Sequence, residues 1–326
     1  MASTTFYDEQ ATNRRMSWLL MLSVAVLLGA LGFAIGYSTT GDPWGGLWIT
    51  AGTVAFAVLL SLGSYYGGDS LVLAASQAQQ VDATSQPQLM NVVQEMALAA
   101  NVPMPKVYII PDTAPNAFAT GRDPHHASIA ITEGLLEKLD REQLQGVIGH
   151  EMGHVRNLDT RYMLLVGVLV GGIALLADMF LRYTFWFGGG RRRSDDREGG
   201  GGLQVIMMVV AVVLAILAPI AARLVQLSVS RQREYLADAT SVEFTRNPVG
   251  LEQALAKIAT DTEVLEVANR STQHLYIVNP IKKFESRAAG LMSTHPPIVD
   301  RIDRLRLLRG GQPLTDDERR ALGGLD

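Results

Sequence analysis

The stretch QGVIGHEMGHVRNLD, residues 145–159, decides how this chain is read. It contains His150-Glu151-Met152-Gly153-His154, an HExxH pattern. At about 100° per residue, positions i and i+4 of a helix lie on one face, a turn apart. Two imidazoles so placed can reach one ion at about 2.0–2.1 Å each. Glu151 points to the side of that pair. There it can accept a proton from a water at the open coordination position. Asp140 caps the helix that carries the run, and Gln143 at the third helical position completes a capping box. The competing explanation is chance. With only six histidines in the chain, a random HExxH has a probability of roughly one percent or less.

A catalytic site of this kind needs a third protein ligand and an open fourth position. The chain has no cysteine, which leaves histidine and carboxylate. His125 and His126 follow Asp123-Pro124 in an expected surface turn, and His274 has no supporting pattern. The acidic candidate is better. Residues 230–239, SRQREYLADA, set Glu234 and Asp238 at i and i+4 on one helix face. Glu234 can be the third ligand. Asp238 can accept the second ring N–H of a ligand histidine and fix its tautomer. Ala237 and Ala239 would let this helix pack close to the HExxH helix. Against this stands an ordinary solvated face beside Arg231 and Arg233. A His₂Glu set makes one zinc ion per chain the leading expectation.

The rest of the composition points to lipid. Hydrophobic residues make up 48% of the 326, charged residues only 18%, and mean hydropathy is positive. A net charge of −4 offers no surface for nucleic acid. Residues 17–37 and 47–66 carry no charge, and residues 162–181 and 203–222 are also long and apolar. Each is near the length needed to cross a hydrocarbon core of about 30 Å as a helix. The first is longer than a signal-peptide core and is followed at once by a second, so it reads as a retained anchor. Between the last two segments, residues 188–202 are rich in Gly and Arg.

The expected organisation is a two-helix membrane anchor at 1–67, a first catalytic half at 68–160, a transmembrane hairpin at 161–222 and a second catalytic half at 223–326. The fold class is α+β and mainly helical. Pro87 opens a helix with Leu89, Val92, Val93, Met96 and Ala97 on one face. KVYII (106–110), NAFAT (116–120) and ASIAIT (127–132) read as strands. Asn247-Pro248 opens a further helix, and His295-Pro296-Pro297 another with Ile298, Ile302 and Leu305 as its apolar stripe.

HEMGHVRNLD, then a hydrophobic hairpin, then SRQREYLADA, then STHPP (293–297) resembles the HtpX-type membrane metalloproteases. These are gluzincins, more distantly similar to the CAAX prenyl proteases. NAFATG (116–121) is similar to a further motif of the family. The resemblance covers essentially the whole chain. It implies a gluzincin-like core with a small sheet joined to four transmembrane helices. It implies His150, His154 and Glu234 as zinc ligands, Glu151 as catalytic base and Asp238 behind the ligands. It also implies a multi-pass protein of the cell membrane, cleaving damaged or misassembled membrane proteins in quality control.

Other residues are weighed singly. His295 is either a donor to the oxyanion of the tetrahedral intermediate or a helix-capping or core histidine. Asn116, Ala117, Phe118 and Ala119 are either a substrate-pairing edge strand or part of an internal strand. Asp159 is read as ending the HExxH helix, without chemistry.

Both halves of the site must share one side of the membrane, which requires an even number of crossings between them. His154 stands eight residues before segment three and Glu234 twelve after segment four, so the metal is expected near the membrane surface. Arg14, Arg15 and the Lys- and Arg-free first loop place the N-terminus, and with it the site, in the cytoplasm. Arg182, Arg191, Arg192, Arg193 and Arg197 run against this topology, since their loop falls on the other side. Either the first helix dominates orientation or the hairpin does not fully span. The expected partners are the bilayer and polypeptide substrates; nothing indicates an oligomeric state. Two rivals remain: a narrow processing peptidase, and a non-catalytic adaptor or chaperone with a zinc-stabilised helix pair. Glu151 speaks against the adaptor, because a purely structural site is closed by a fourth ligand.

Overall fold

A computed structural model describes residues 6–166, 173–174, 177–178, 181–182, 201–228, 230–261, 263, 265, 276–277 and 296–322. The described helices are α1 (Phe6–Thr40), α2 (Pro43–Ala75), α3 (Pro87–Ala100), α4 (Glu133–Lys138), α5 (Arg141–Asn157), α6 (Gly201–Ser228), α7 (Ser230–Thr245), α8 (Pro248–Thr260), α9 (Ile298–Leu308) and α10 (Asp316–Ala321). The strands are β1 (Gln79–Gln80), β2 (Lys106–Ile110), β3 (Ala117–Gly121) and β4 (Ala127–Thr132). Backbone contacts divide the chain into two units. One comprises 1–14, 66–164 and 227–326; the other comprises 15–65 and 165–226.

The first unit is built on a four-stranded mixed sheet in the order β1-β2-β4-β3. β2 and β4 run parallel, with Val107 opposite Ile129 and Ile109 opposite Ile131. β3 lies antiparallel at the edge, Ala117 opposite Ile131 and Ala119 opposite Ile129. Side chains alternate between the two faces of a strand. Here both faces are covered, which explains why the strands read as continuous apolar runs. Val107, Ile109, Ala119, Ile129 and Ile131 face the main core, shared with α3, α5, α8 and α9. Ile110, Phe118 and Ala130 face a second cluster with Val72, Leu73, Leu164 and Tyr276.

Local chemistry sets the helix ends. Pro87 starts α3, which buries Leu89, Val92, Val93, Met96 and Ala97 as its spacing predicts. Asn101 closes it in the left-handed region, its N–H reaching the Ala97 and Leu98 carbonyls. α5 begins with the expected capping box: Asp140 accepts from the Gln143 N–H, and the Gln143 side chain returns to the Asp140 N–H. α5 then runs through the middle of the core, and almost every residue from Gln143 to Asn157 is buried.

Glycines let α5 come close to its neighbours. A Cβ on Gly146 would stand 2.5 Å from the Leu251 nitrogen of α8. One on Gly149 would meet the Ser241 Oγ of α7 at 2.9 Å, and one on Gly153 would press on Thr240 and Ala237. The Ser241 hydroxyl donates to the Gly146 carbonyl at 2.6 Å. The close approach of α5 and α7 was expected from Ala237 and Ala239. Ala237 is at the contact, but Ala239 is exposed on the far side, and the clearance comes from the glycines of α5.

In the second unit, Leu31, Ala34, Ala177, Ala211 and Ala215 are buried against one another. Small residues also bring α1 onto α2: a Cβ on Gly36 would lie 2.7 Å from the Gly45 carbonyl. Large apolar side chains, among them Trp18, Leu22, Val26, Trp48 and Leu59, project outward. Among the described residues, two helices are long and apolar enough to cross a membrane, Met21–Thr40 and Pro43–Ala75, and Val205–Leu217 is a shorter apolar run. Asp178 and Arg182, four residues apart, pair at 2.7 Å. Half of the expected third segment, and residues 188–200 of the Gly/Arg-rich loop, lie outside the described residues.

Gly146→Ala is expected to force α5 and α8 apart at a backbone-to-backbone contact. The expected cost is about 1–3 kcal/mol. It is read as a lower thermal unfolding midpoint of the full-length protein in detergent; an unchanged midpoint would contradict the close packing described.

Candidate metal centre

The middle of α5 brings His150 and His154 onto one face, and α7 crosses there with Glu234. The two Nε2 atoms lie 3.2 Å apart. Glu234 Oε2 is 3.5 Å from Nε2 of His150, and Glu234 Oε1 is 3.5 Å from Nε2 of His154. All three residues are buried. These separations match the donors of a tetrahedral centre, for which bonds of about 2.0–2.1 Å imply edges of about 3.3–3.4 Å. The two imidazole planes stand edge to face at 89°, with centroids 4.7 Å apart.

What lies behind the rings decides which nitrogen carries the proton. Nδ1 of His150 is 2.9 Å from Asp238 Oδ1, and Nδ1 of His154 is 3.0 Å from Asp159 Oδ2. A carboxylate can only accept, so each Nδ1 donates, and each Nε2 keeps its lone pair for a cation. Burial and the nearby Arg301 oppose protonation of His150, yet Asp238 and Glu234 hold its pKa above the ordinary value. Burial likewise opposes protonation of His154, and Asp159 and Glu234 outweigh it.

Arg301 was not foreseen as a site residue. It is almost wholly buried on α9, and its Nε and Nη2 grip Asp238 at 2.9 and 2.7 Å. Its Nη1 donates to the Ile277 carbonyl at 2.8 Å and stands 3.3 Å from Glu234 Oε2. Burial would pull the Asp238 carboxyl upward, but Arg301 and His150 hold it below the usual range. A sequence signal existed. Position 301 falls on the stripe of Ile298, Ile302 and Leu305, and a charge on a buried helix face needs a partner. Asp159 is a second correction: it was read as a helix end without chemistry, and it is the partner of His154.

Glu151 is 1% exposed, and its Oε1 has no hydrogen-bond partner among the described residues. Burial drives its carboxyl pKa up, against the pull of His150 and His154. The backbone N–H of Ala119 on β3 also favours the charged carboxylate, more weakly. Counted together, Glu151, Asp159, Glu234 and Asp238 face the guanidinium groups of Arg301 and Arg233. Among these buried acidic groups, one donor atom from each of His150, His154 and Glu234 meets at one point. The residues fit a divalent cation.

The expected substrate edge is shorter than Asn116–Ala119. Asn116 is buried, and its side-chain oxygen accepts from the Ala117 N–H at 3.0 Å. Its backbone N–H is taken by the Thr132 hydroxyl. The Ala117 carbonyl accepts from the Ile277 N–H at 2.9 Å. Phe118 is fully buried under the Tyr276 ring, centroids 5.1 Å apart. The backbone of Ala119 points outward like that of Ala117; the Phe118–Tyr276 bridge covers the edge up to this residue, and the open edge of β3 begins with the Ala119 carbonyl. His125 and His126 sit in a 3-10 turn capped by Asp123, apart from the cluster, with His126 on Asp123 at 2.8 Å. His274 and His295 lie outside the described residues, and with them the proposed oxyanion donor.

Arg301→Met would leave the Asp238 carboxylate buried with its main countercharge gone. Removing one partner of a buried pair costs about 3–5 kcal/mol. The expected result is a fall in the unfolding midpoint that Asp238→Asn, added to Arg301→Met, partly reverses. Unfolding of the metal-stripped protein measures both.

The comparisons with known proteins agree with this geometry. The model of Peptidase family M48 matches residues 83–309, a span that holds α5, α7 and α9. A "Protease HtpX homolog" of Lactobacillus helveticus is 44% identical over 300 residues, covering 92% of this chain and 98% of the relative. Another of Levilactobacillus brevis is 46% identical over 300 residues, covering 92% and 98%. A third, of Caldanaerobacter subterraneus subsp. tengcongensis, is 42% identical over 311 residues, covering 94% and 99%. The chain belongs to peptidase family M48, as an HtpX-type metallopeptidase.

Proposed function

We propose that this metallopeptidase is a multi-pass membrane zinc endopeptidase, with His150, His154 and Glu234 as the metal ligands and Glu151 as general base and acid. The observation that carries the reading is the meeting of three buried donor groups, from two helices about eighty residues apart in sequence, at tetrahedral spacings. When bound, zinc polarises the scissile carbonyl and makes water a stronger acid. Glu151 takes the proton of the attacking water and passes it to the leaving amine. The Ala119 N–H steadies the Glu151 carboxylate, while the outward carbonyl of Ala119 is placed to pair with an extended substrate backbone. Asp238, held by Arg301, keeps His150 oriented during turnover.

The membrane reading rests on the apolar helices and on their order in the chain. The ligands on α5 and α7 flank the expected hairpin, so a shared site demands an even number of crossings between them. Four spans, with the site on the cytoplasmic side, satisfy this. The substrates proposed are misfolded or damaged membrane proteins, whose loops can reach a site tied by short connections to membrane segments. The outward apolar side chains of α1, α2 and α6 suit lipid contact rather than water.

Glu151→Gln is expected to retain zinc and to lose cleavage of a casein or membrane-protein substrate by about 10²–10⁴-fold. Wild-type-like cleavage would exclude Glu151 as the base. Stripping the wild type with a chelator is expected to abolish activity, and zinc to restore it; activity unaffected by removal of all metal would refute the centre. The chain lacks cysteine, so single cysteines at Asp42 and Ser194 can be labelled without background. Labelling of both by an impermeant thiol reagent from outside is expected, and protection of Ser194 would refute a full hairpin.

A further inference from the structure

The two imidazoles of the metal centre are steadied by different means. His150 turns to Asp238, which stands one turn beyond Glu234 on α7. His154 turns to Asp159, five residues further along its own chain. A regular helix does not make this contact, since residues i and i+5 point about 140° apart. It is made here because Leu158 closes α5 in the left-handed region, φ 61° and ψ 23°. That conformation is unfavourable for a residue with a Cβ, and Leu158 is buried rather than at a free loop tip. The helix resumes at Asp159, whose carboxylate now meets the His154 Nδ1.

The other oxygen of Asp159 is also engaged. Oδ1 lies 3.5 Å from Nε of Arg233, and the Arg233 guanidinium sits 4.2 Å from the centre of the Tyr162 ring. Arg233 immediately precedes Glu234 on α7. The helix that delivers a carboxylate to the metal therefore also delivers the cation that holds the carboxylate behind His154. Each imidazole ends up in a chain of imidazole, aspartate and arginine: His150–Asp238–Arg301, and His154–Asp159–Arg233.

We propose that Asp159 and Arg233 are positioning residues that act as one unit: Asp159 keeps His154 in the tautomer and ring orientation that present Nε2 to the metal, and Arg233 ties that orientation to the seating of Glu234. This rests on the reading of His150, His154 and Glu234 as the zinc ligands. Without Asp159, the His154 Nδ1–H loses its acceptor, and the ring is free to turn or to move its proton to Nε2, where it would block the metal. Without Arg233, the Asp159 carboxylate loses the contact that fixes its second oxygen.

Zinc affinity of the full-length protein in detergent, measured by competition with a chromophoric chelator, tests this without recourse to activity. Asp159→Ala is expected to weaken zinc binding about 10–100-fold. Asp159→Asn, whose amide oxygen can still accept from Nδ1–H, should lose less. Arg233→Gln should weaken binding, Arg233→Lys should recover most of it, and Arg233→Gln added to Asp159→Ala should bring no further loss. The visible spectrum of the cobalt-substituted protein should shift in Asp159→Ala, a change in the metal's own surroundings that a loss of fold stability alone would not produce. Equal zinc affinity in wild type and Asp159→Ala overturns the proposal and leaves the metal centre standing. Losses that add between the two positions, or an Asp159→Ala cobalt spectrum identical to that of wild type, overturn it as well. A wild-type chain that takes up no zinc overturns both the centre and this extension.

Discussion

The structure of the first unit is governed by the cost of burying charge. Four carboxylates and two imidazoles are enclosed by α5, α7, β3 and α9, where an unpaired charge is expensive. Two arginines meet part of that charge, and a divalent cation at the convergence of His150, His154 and Glu234 would meet the remainder. Much else in the unit follows from keeping those groups in register. The glycines of α5 bring its backbone against α7 and α8. Arg301 ties α9 to α7 through Asp238, and to the 276–277 segment through the Ile277 carbonyl. Ile277 in turn donates to Ala117 on β3. The path from the metal contacts to the sheet edge is thus an unbroken series of hydrogen bonds.

That series bears on how a peptide can approach. β3 is an edge strand by the sheet order, but the chain itself caps one end of the edge. What is left begins at Ala119, beside Glu151. A substrate strand that paired there would be aligned by backbone groups alone, which tolerates many side chains. Such tolerance suits the breadth of substrate proposed for this peptidase better than it suits a processing enzyme with one target.

The second unit follows another logic. Small residues, Ala34, Ala177, Ala211 and Ala215, are packed with Leu31 at its contact, and many large apolar side chains turn outward. In water that arrangement would be inverted, because burial of large apolar groups drives the fold. In a bilayer there is no such drive between helices, and close approach through small residues takes its place.

Much of this was legible in the sequence. The capping box at Asp140, the proline starts at 87 and 248, the apolar stripe of α3 and the strands at 106–110 and 127–132 follow from local rules that need only neighbouring residues. The HExxH pair was legible for the same reason, since a helix fixes the spacing of i and i+4. Glu234 was suggested by its i, i+4 spacing with Asp238, by the lack of a better third ligand and by the family resemblance. What the fold alone decided lies at long range. It chose the open stretch of the β3 edge, which depends on where residues 276–277 return. It placed glycines rather than alanines at the α5–α7 contact, because clearance depends on the facing helix. It brought Arg301 to Asp238 and turned Asp159 back to His154 through one left-handed residue. Local patterns are set by backbone geometry within a few residues, whereas these pairings follow from the need to neutralise buried charge, and that need appears only once distant segments share one core.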